Sequence, residues 1–248
     1  SKSHGWSLVE PDEHSDWLKQ RDGDFDAFLR IGDKKDNNAL VVFSNYTRGL
    51  ETGRDYWVFN SSRYTLKENM EKSLLQYEAD RQKLRALPNA DLKSVVSSDP
   101  SKISWTSSLL THLEKGLPSV YSENAIQVSL YRPFQKQFVY NEKIWIHLQG
   151  SMTPISPSYY SPNRAHVRVG AGEAVEFSAL MADRPSELKF HYNSQCFPLY
   201  LYNQQDEEPS GLFGGQTSDL QRRDGITDAG LKHFQDAYPG ETITKEDL

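Results

Sequence analysis

The sequence contains a single cysteine, Cys196, among its 248 residues, so an internal disulfide bond is excluded. Such low cysteine usage is typical of proteins in a reducing compartment. No run of 18 apolar residues occurs, so no membrane span is predicted. The first ten residues lack the basic and then apolar pattern of a signal peptide. These absences together favour a cytoplasmic protein, in which Cys196 is an inert core residue rather than a catalytic thiol.

The motifs of several enzyme classes are also missing. The chain has no phosphate-binding loop, no Gly-x-Ser-x-Gly nucleophile elbow and no His-Glu-x-x-His zinc helix. It also lacks the Asn/Asp-Pro-Pro-Tyr/Phe tetrapeptide with which amino-methyltransferases hold a flipped base. Gly170-Ala171-Gly172 superficially resembles a dinucleotide fingerprint, but no helical pattern follows it. We therefore expect no catalytic residues, no bound metal and no cofactor within this chain.

The net charge of −6 is unevenly distributed. The tail from residue 206 onward contains four basic and ten acidic residues and accounts for the whole of the net charge. The window from residue 125 to 172 has a net charge of +4, with Glu142 as its only acid. A basic window on a neutral body can bind a phosphate backbone, although ordinary surface charge explains the composition equally well.

Hydrophobic periodicity predicts helices early and strands late. The clearest helix covers 63–87, and shorter helices are predicted at 11–30, 104–115 and 228–237. Strands are predicted at 39–46, 56–60, 126–131, 137–140, 143–147, 166–169, 177–181, 188–192 and 197–202. Residues 152–163 and 204–224 are predicted to be loops. The expected fold class is α+β, in which a helical N-terminal part precedes a mixed or antiparallel β-rich part with packed helices.

The change of period near 119–124 suggests two domains. Residues 1–120 are predicted to be a helical or αβ subdomain, and residues 121–248 a β-rich domain. The last residues, 244–248, have the cap and acids of a helix start. We therefore expect the β-rich domain to be truncated and the chain to be a piece of a longer protein.

Three local clusters could contact an anion. Arg54 follows Gly53 and precedes Asp55, a pair in which the carboxylate could orient the guanidinium. Arg132 ends a strand before Pro133, and Arg164, His166 and Arg168 share one face of another strand. The candidate nucleic-acid contacts are Arg54, Arg132, Lys136, Lys143, Asn163, Arg164, His166 and Arg168. A structural ion pair at Arg54 and a solvated strand face at 164–168 are equally good explanations of these patterns.

The order of several motifs resembles a known family. Gly53-Arg54-Asp55 with Trp57 and Asn60, Leu130-Tyr131-Arg132-Pro133-Phe134 with Phe138-Val139-Tyr140, Phe177-Ser178-Ala179-Leu180, and residues 194–202 occur in that order. The chain thereby resembles the C-terminal target-recognition region of Type ISP, or single-polypeptide Type I, restriction-modification enzymes, a group often labelled helicases. The resemblance covers nearly the whole chain except roughly 204–225.

The resemblance implies a part of a larger enzyme. A full-length member combines a nuclease, a helicase-like ATPase, an adenine methyltransferase and a target-recognition domain, and needs S-adenosylmethionine, ATP and Mg. The resemblance further implies that this chain recognises a specific sequence in double-stranded DNA and contacts the other domains of the parent polypeptide. The alternative is a coupling module between domains with little direct DNA contact; an independent enzyme is the least supported reading.

Overall fold

The computed structural model describes residues 5, 8–13, 15–17, 24–87, 89–147, 152, 154–156, 163–170, 172–173, 175–203 and 221–248. Its helices are α1 (Asp55–Val58), α2 (Arg63–Ala86), α3 (Leu92–Val95), α4 (Ser107–Glu114) and α5 (Asp228–Ala237). Its strands are β1 (Thr47–Arg48), β2 (Phe59–Asn60), β3 (Ile126–Arg132), β4 (Gln135–Tyr140), β5 (Ala165–Arg168), β6 (Ala179–Ala182), β7 (Gln195–Pro198), β8 (Tyr200–Asn203) and β9 (Gln221–Asp224). Single 3-10 turns lie at Phe25–Ala27, Glu123–Ala125 and Leu188–His191. The predicted α+β class is confirmed.

Helix α2 forms because its apolar residues recur every three or four positions and its first turn is capped. The Ser62 side chain accepts a hydrogen bond from the amide of Thr65 at 3.2 Å. Leu66, Met70 and Tyr77 are completely buried on one side of the helix. The Tyr77 hydroxyl donates to the main-chain oxygen of Leu117 at 2.7 Å. This helix thus anchors the largest hydrophobic core, which joins α2 and α4 to β3 and β4.

The strands form three antiparallel sheets. The largest has the order β1-β7-β5-β6, the second has the order β2-β4-β3, and the third is the two-stranded ribbon β8-β9. In the first sheet, Val167 on β5 lies opposite Cys196 on β7 and Leu180 on β6. Strands β1 and β2 come from the first 120 residues but pair with β7 and β4. Sheets and core therefore extend across the expected domain boundary at 120/121, and that boundary stays a prediction.

Three predicted strands have a different structure. Residues 56–58 of the segment predicted at 56–60 belong to the one-turn helix α1, and only the last two residues form β2. Residues 143–147 form a turn in which Ile144, Trp145 and Ile146 are buried in succession. A strand with one exposed face would bury only alternate side chains, whereas this turn packs three successive side chains into the core. The third segment, predicted at 188–192, is the 3-10 turn Leu188–His191, with the Glu187 side chain as its cap.

The N-terminal and loop predictions are only partly testable. Much of the helix predicted at 11–30 lies outside the described residues, and its described end contains the 3-10 turn Phe25–Ala27. The segment predicted as a strand at 39–46 makes only isolated bridges, between Val41 and Arg30 and between Phe43 and Ile226. The predicted loop 152–163 is described only in part. Residues 204–220 are also outside the description, but Gln221–Asp224 of that predicted loop form strand β9.

Candidate nucleic-acid interface

Strand β5 presents basic side chains on one face of the largest sheet. Ala165 and Val167 are buried on the core side, while His166 and Arg168 are half-buried on the opposite side. Arg164 precedes the strand and is exposed. Side chains two residues apart on one strand face lie about 7 Å apart. The predicted row of Arg164, His166 and Arg168, called the β5 row below, is thus present as an element of the sheet.

Arg168 lies over an aromatic ring instead of beside a carboxylate. Its guanidinium carbon is 5.3 Å from the centre of the Phe197 ring, and its Nη1 donates to the main-chain oxygen of Val169 at 3.2 Å. Its Nε has no hydrogen-bond partner among the described residues. Burial lowers the pKa of Arg168 from its usual value, and nearby Tyr46 opposes this shift. Arg168 therefore has a buried donor without a partner, beside an aromatic ring.

His166 and Arg164 lie next to the C-terminal residues. The Nε2 of His166 contacts the main-chain oxygen of Leu248. Since an oxygen of this kind can only accept, Nε2 carries the proton and donates. Arg164 lies close enough to Asp247 to contribute to lowering the pKa of that carboxyl, after the hydrogen bonds from Thr244. No ion pair of Arg164 or Arg168 with a described carboxylate is present at 4 Å or less.

Asn163 has a structural position at the start of β5. Its Nδ2 donates to the main-chain oxygens of Ile155 at 2.7 Å and Tyr200 at 2.8 Å. Its Oδ1 accepts from the amides of Arg164 at 2.9 Å and Tyr200 at 3.1 Å. The two bonds with Tyr200 join the start of β5 to β8, and the four bonds together use the whole hydrogen-bonding capacity of the amide. A contact with a base would require some of them to break.

The β3-β4 hairpin carries Arg132 and Lys136, and both face acids. Arg132 Nη1 lies 2.5 Å from Glu187 Oε2, and Lys136 Nζ lies 3.7 Å from Asp183 Oδ2. Glu187 is buried, and its pKa is raised from the ordinary value mainly by that burial. Between the strands, Phe134 has a φ of 64°, rare outside glycine, and its side chain is 95% exposed. Phe134 belongs to one of the family motifs quoted above, but its exposure at the hairpin tip was not predicted from the sequence.

Arg54 is buried, and the expected pair with Asp55 is not formed. Asp55 accepts hydrogen bonds from Thr52 Oγ1 and from the Tyr131 hydroxyl, the latter at 3.1 Å. Arg54 instead donates from Nη2 to Thr106 Oγ1 and lies 5.4 Å from the Trp145 ring. The backbone reason is that Asp55 starts helix α1, which turns the two side chains in different directions. The predicted orientation of Arg54 by Asp55 was wrong.

The basic window is therefore distributed over separate elements. Arg132 and Lys136 lie on the hairpin, the β5 row lies on the largest sheet, and Lys143 is exposed on the turn beside α4. Two further basic residues were missed because their segment was predicted to be a loop. Arg222 and Arg223 are exposed on β9, and Arg222 lies 4.1 Å from the centre of the Tyr200 ring. Their sequence signal was the Arg-Arg pair between Gln221 and Asp224.

An apolar groove of about 520 Å³ adjoins the β5 row. It lies between the outer face of the largest sheet and helix α5. His166 and Arg168 line the groove together with three aromatic residues that are more than half exposed, Phe28, Phe177 and Tyr238. Exposed apolar surface beside basic side chains is characteristic of an interaction surface.

Two groups among the described residues bear on catalysis, namely possible metal ligands and the thiol of Cys196. They contain no group of three or more His, Cys, Asp or Glu side chains that could hold a metal ion. Cys196 is buried, and burial raises the pKa of its thiol to about 11, although a hydrogen bond with Ser186 opposes the shift. Such a thiol is not a nucleophile at neutral pH. None of the described helices is long and apolar enough to cross a membrane.

An α+β fold with basic side chains on one face of a sheet, next to an apolar groove, is characteristic of a binding domain. Comparison with known families identifies the kind of binding domain. The family model of the Type ISP C-terminal specificity domain matches residues 41–248. The chain belongs to this family. No curated protein matches the sequence significantly.

Solved structures show the same fold. The ATP-dependent Type ISP restriction-modification enzyme LlaBIII bound to DNA is 29% identical with a TM-score of 0.75, over 96% of this chain and 14% of that one. The DrdV–DNA complex is 25% identical with a TM-score of 0.78, over 99% of this chain and 23% of that one. A nuclease-deletion mutant of the Type ISP enzyme LlaGI, in complex with a DNA substrate mimic, is 23% identical with a TM-score of 0.73, over 90% of this chain and 17% of that one. This chain thus spans less than a quarter of the length of each of them.

Proposed function

We propose that this chain recognises a specific sequence in double-stranded DNA for a single-polypeptide restriction-modification enzyme. The observation that carries the proposal is the β5 row, which presents basic side chains without an ion-paired carboxylate among the described residues, in a member of the specificity-domain family. Arginine binds phosphates and guanine edges through paired donors, and both kinds of contact are needed for site recognition. The β8-β9 ribbon carries two further arginines, Arg222 and Arg223, that are available for the same two kinds of contact.

The chemistry of restriction and modification belongs, in this proposal, to other parts of the parent polypeptide. The chain itself contributes recognition and no catalytic residue, which is supported by the buried thiol of Cys196 and the missing catalytic motifs. ATP, Mg and S-adenosylmethionine would then bind outside it. Its partners would be duplex DNA and the neighbouring domains of the parent. A cytoplasmic location stays a prediction.

The test is selection of duplexes from a random pool, followed by measurement of affinity against salt concentration. We expect an enriched sequence and an affinity that falls as salt rises, because phosphate contacts release counterions. The double variant Arg164→Ala/Arg168→Ala should bind about tenfold more weakly or worse. Arg30→Ala, which removes an exposed arginine paired with Asp33, is the matched control and should bind normally. A selection that enriches no DNA sequence, or a double variant with unchanged DNA affinity, contradicts the proposal.

A second candidate is interdomain coupling, favoured by the apolar groove and by the exposed Phe134. In that case the groove residues would be covered by a neighbouring domain of the parent. Phe177→Ser would then weaken association with the rest of the parent and leave DNA affinity unchanged. The opposite result, weaker DNA binding with normal association, supports recognition alone.

A further inference from the structure

The Gly53-Arg54 turn lies against the start of helix α4. A Cβ atom added to Gly53 would lie 3.1 Å from Thr106 Cγ2 and 3.4 Å from His147 Cβ. Gly53 also has a φ of 65°, a conformation that glycine adopts without strain. The absence of a side chain at this position lets the turn bring Arg54 to the helix end. Arg54, Thr106 and His147 therefore lie close together beside the start of α4.

Arg54 is a buried cation with unused donors. Only 5% of its surface is exposed, and the one hydrogen bond that its side chain makes among the described residues goes from Nη2 to Thr106 Oγ1. Its Nε and Nη1 have no partner there. Burial lowers the pKa of Arg54 to about 10, so it remains charged at neutral pH. A buried guanidinium that is neither paired with an acid nor fully hydrogen-bonded is costly unless a ligand compensates it.

A hydrogen-bond chain leads from Arg54 to His147. Thr106 Oγ1 accepts from Arg54 and from the amide of Leu109, which fills both of its lone pairs. Its own proton must then go to Ser108 Oγ at 3.0 Å. Ser108 in turn has His147 Nδ1, at 3.3 Å, as its acceptor. This chain assigns the proton of the His147 ring to Nε2, which is then a hydrogen-bond donor.

The start of α4 adds main-chain donors. Thr106 is the N-cap, so the amides of Ser107 and Ser108 belong to the first turn and have no intrahelical acceptor. Neither amide has a hydrogen bond among the described residues, and Ser107 is exposed. The positive end of the helix dipole lies at the same place. Lys143 lies on the same turn as His147 and close enough to His112 on α4 to contribute to lowering the pKa of that imidazole.

We propose that these groups form a phosphate-binding site, called the α4 site, consisting of Arg54, the amides of Ser107 and Ser108, and His147 Nε2. Main-chain amides at a helix start, a buried guanidinium and an oriented imidazole donor are the combination that binds a tetrahedral oxyanion. If the proposed function holds, the occupant is a phosphate of the DNA backbone, and the site is a contact separate in structure from the β5 row. That the bound phosphate belongs to DNA depends on the proposed function. That the site binds a phosphate at all does not depend on it.

The experiment follows the amide resonances of Ser107 and Ser108 and the ring nitrogens of His147 by NMR. Inorganic phosphate and a short duplex are titrated separately into the whole chain. We expect both ligands to shift these resonances and the free chain to show the proton of His147 on Nε2. Ser107→Asp places a carboxylate at the site, where it also suits the helix dipole, so the fold is retained and phosphate affinity falls at least about tenfold. Ser107→Asn is the neutral control of the same size and should retain binding.

The outcomes separate the two proposals. Shifts with inorganic phosphate but not with a duplex that binds elsewhere support the phosphate site and overturn its role in DNA contact. Shifts with neither ligand, or equal affinities of the Asp and Asn variants, overturn the α4 site. If the duplex binds through Arg164 and Arg168 while the α4 resonances stay unchanged, the proposed function stands and this inference fails.

Discussion

The β3-β4 hairpin and strand β5 both carry basic residues from the same +4 window, but different groups face them. On the hairpin, Arg132 and Lys136 each lie within 4 Å of a carboxylate. On β5, Arg168 lies over the Phe197 ring and has an unused donor, and no ion pair with a described carboxylate is present at Arg164. Because a neighbouring carboxylate offsets the charge that a ligand meets, only the second region offers cations to an anionic partner.

The partners of the hairpin come from far along the chain. Glu187 and Asp183 lie in the segment that precedes the 3-10 turn, about fifty residues beyond Arg132 and Lys136. A charge count in a local window includes the bases and not these acids. The net charge of a sequence window therefore indicates a binding surface only where the fold leaves the charged side chains of that window without ion-pair partners.

Removal of Glu187 should have the largest effect on stability. Glu187→Ala leaves Arg132 without its carboxylate and the amide of Lys189 without its 2.6 Å acceptor. We expect the free energy of unfolding to fall by about 2 to 3 kcal/mol, which is less than for a fully buried pair because Arg132 is partly exposed. Urea denaturation measures this change.

The matched control for that experiment is Asp183→Ala, which breaks an exposed pair with Lys136 and should cost less than about 1 kcal/mol. Equal losses in the two variants would show that the Arg132 pair has no special structural role, and the contrast between the two regions would then be weaker.

Glu142, the one acid of the basic window, should destabilise the fold at neutral pH. Burial raises its pKa to about 6 from 4.5, although a hydrogen bond from the amide of Ile144 opposes the shift. The folded chain therefore holds the proton more tightly than the unfolded chain, so stability falls as pH rises from about 4.5 to 6. Because the group is partly exposed, we expect Glu142→Gln to raise the free energy of unfolding at pH 7 by about 1 kcal/mol.

Denaturation at pH 4 and at pH 7 checks this prediction. The gain of the Gln variant should disappear at pH 4, where Glu142 is protonated in both states. A gain that is equal at both pH values would assign the effect to packing and not to the charge.

The arginines of β9 should have the smallest effect of these changes. Arg222→Ala and Arg223→Ala remove exposed cations of the β8-β9 ribbon, so stability should hardly change. If the ribbon extends the surface of the β5 row, each variant should weaken duplex binding about threefold and reduce the salt slope by about one. Lys232→Ala, which removes the exposed partner of Asp236 on α5, is the control. Unchanged binding in both Arg variants would restrict the surface to β5.

Prediction from sequence succeeded where the periodic pattern was long. Helix α2 and helix α5 lie within one residue of the predicted ranges, and β3, β4 and β5 overlap theirs, because many residues contribute to each pattern. It failed for short aromatic runs such as 143–147 and 188–192. In those runs Trp145 and Phe190 are buried by distant parts of the chain, and a turn buries them as well as a strand does.

The geometry of the candidate site was predicted in part, and contact of these residues with DNA stays a prediction. Alternation correctly placed His166 and Arg168 on one face, since that face is a property of any strand. The assignment of Arg54 to a pair with Asp55 failed because adjacent residues at a helix start point in different directions. His147 and the start of α4 were not predicted as a site, as their meeting depends on a contact between residues 53, 106 and 147.

The sequence by itself therefore determined the α+β class, the principal helices, the shared face of β5 and, through motif order, the family. These are properties of local periodicity and of the linear order of motifs. Only the tertiary structure decided which cations have partners: it set Glu187 against Arg132, buried Arg54 beneath α4 and left the β5 row without a described ion pair. The physical reason is that the charge a ligand meets depends on distances of a few ångströms, and residues far apart in the sequence set those distances.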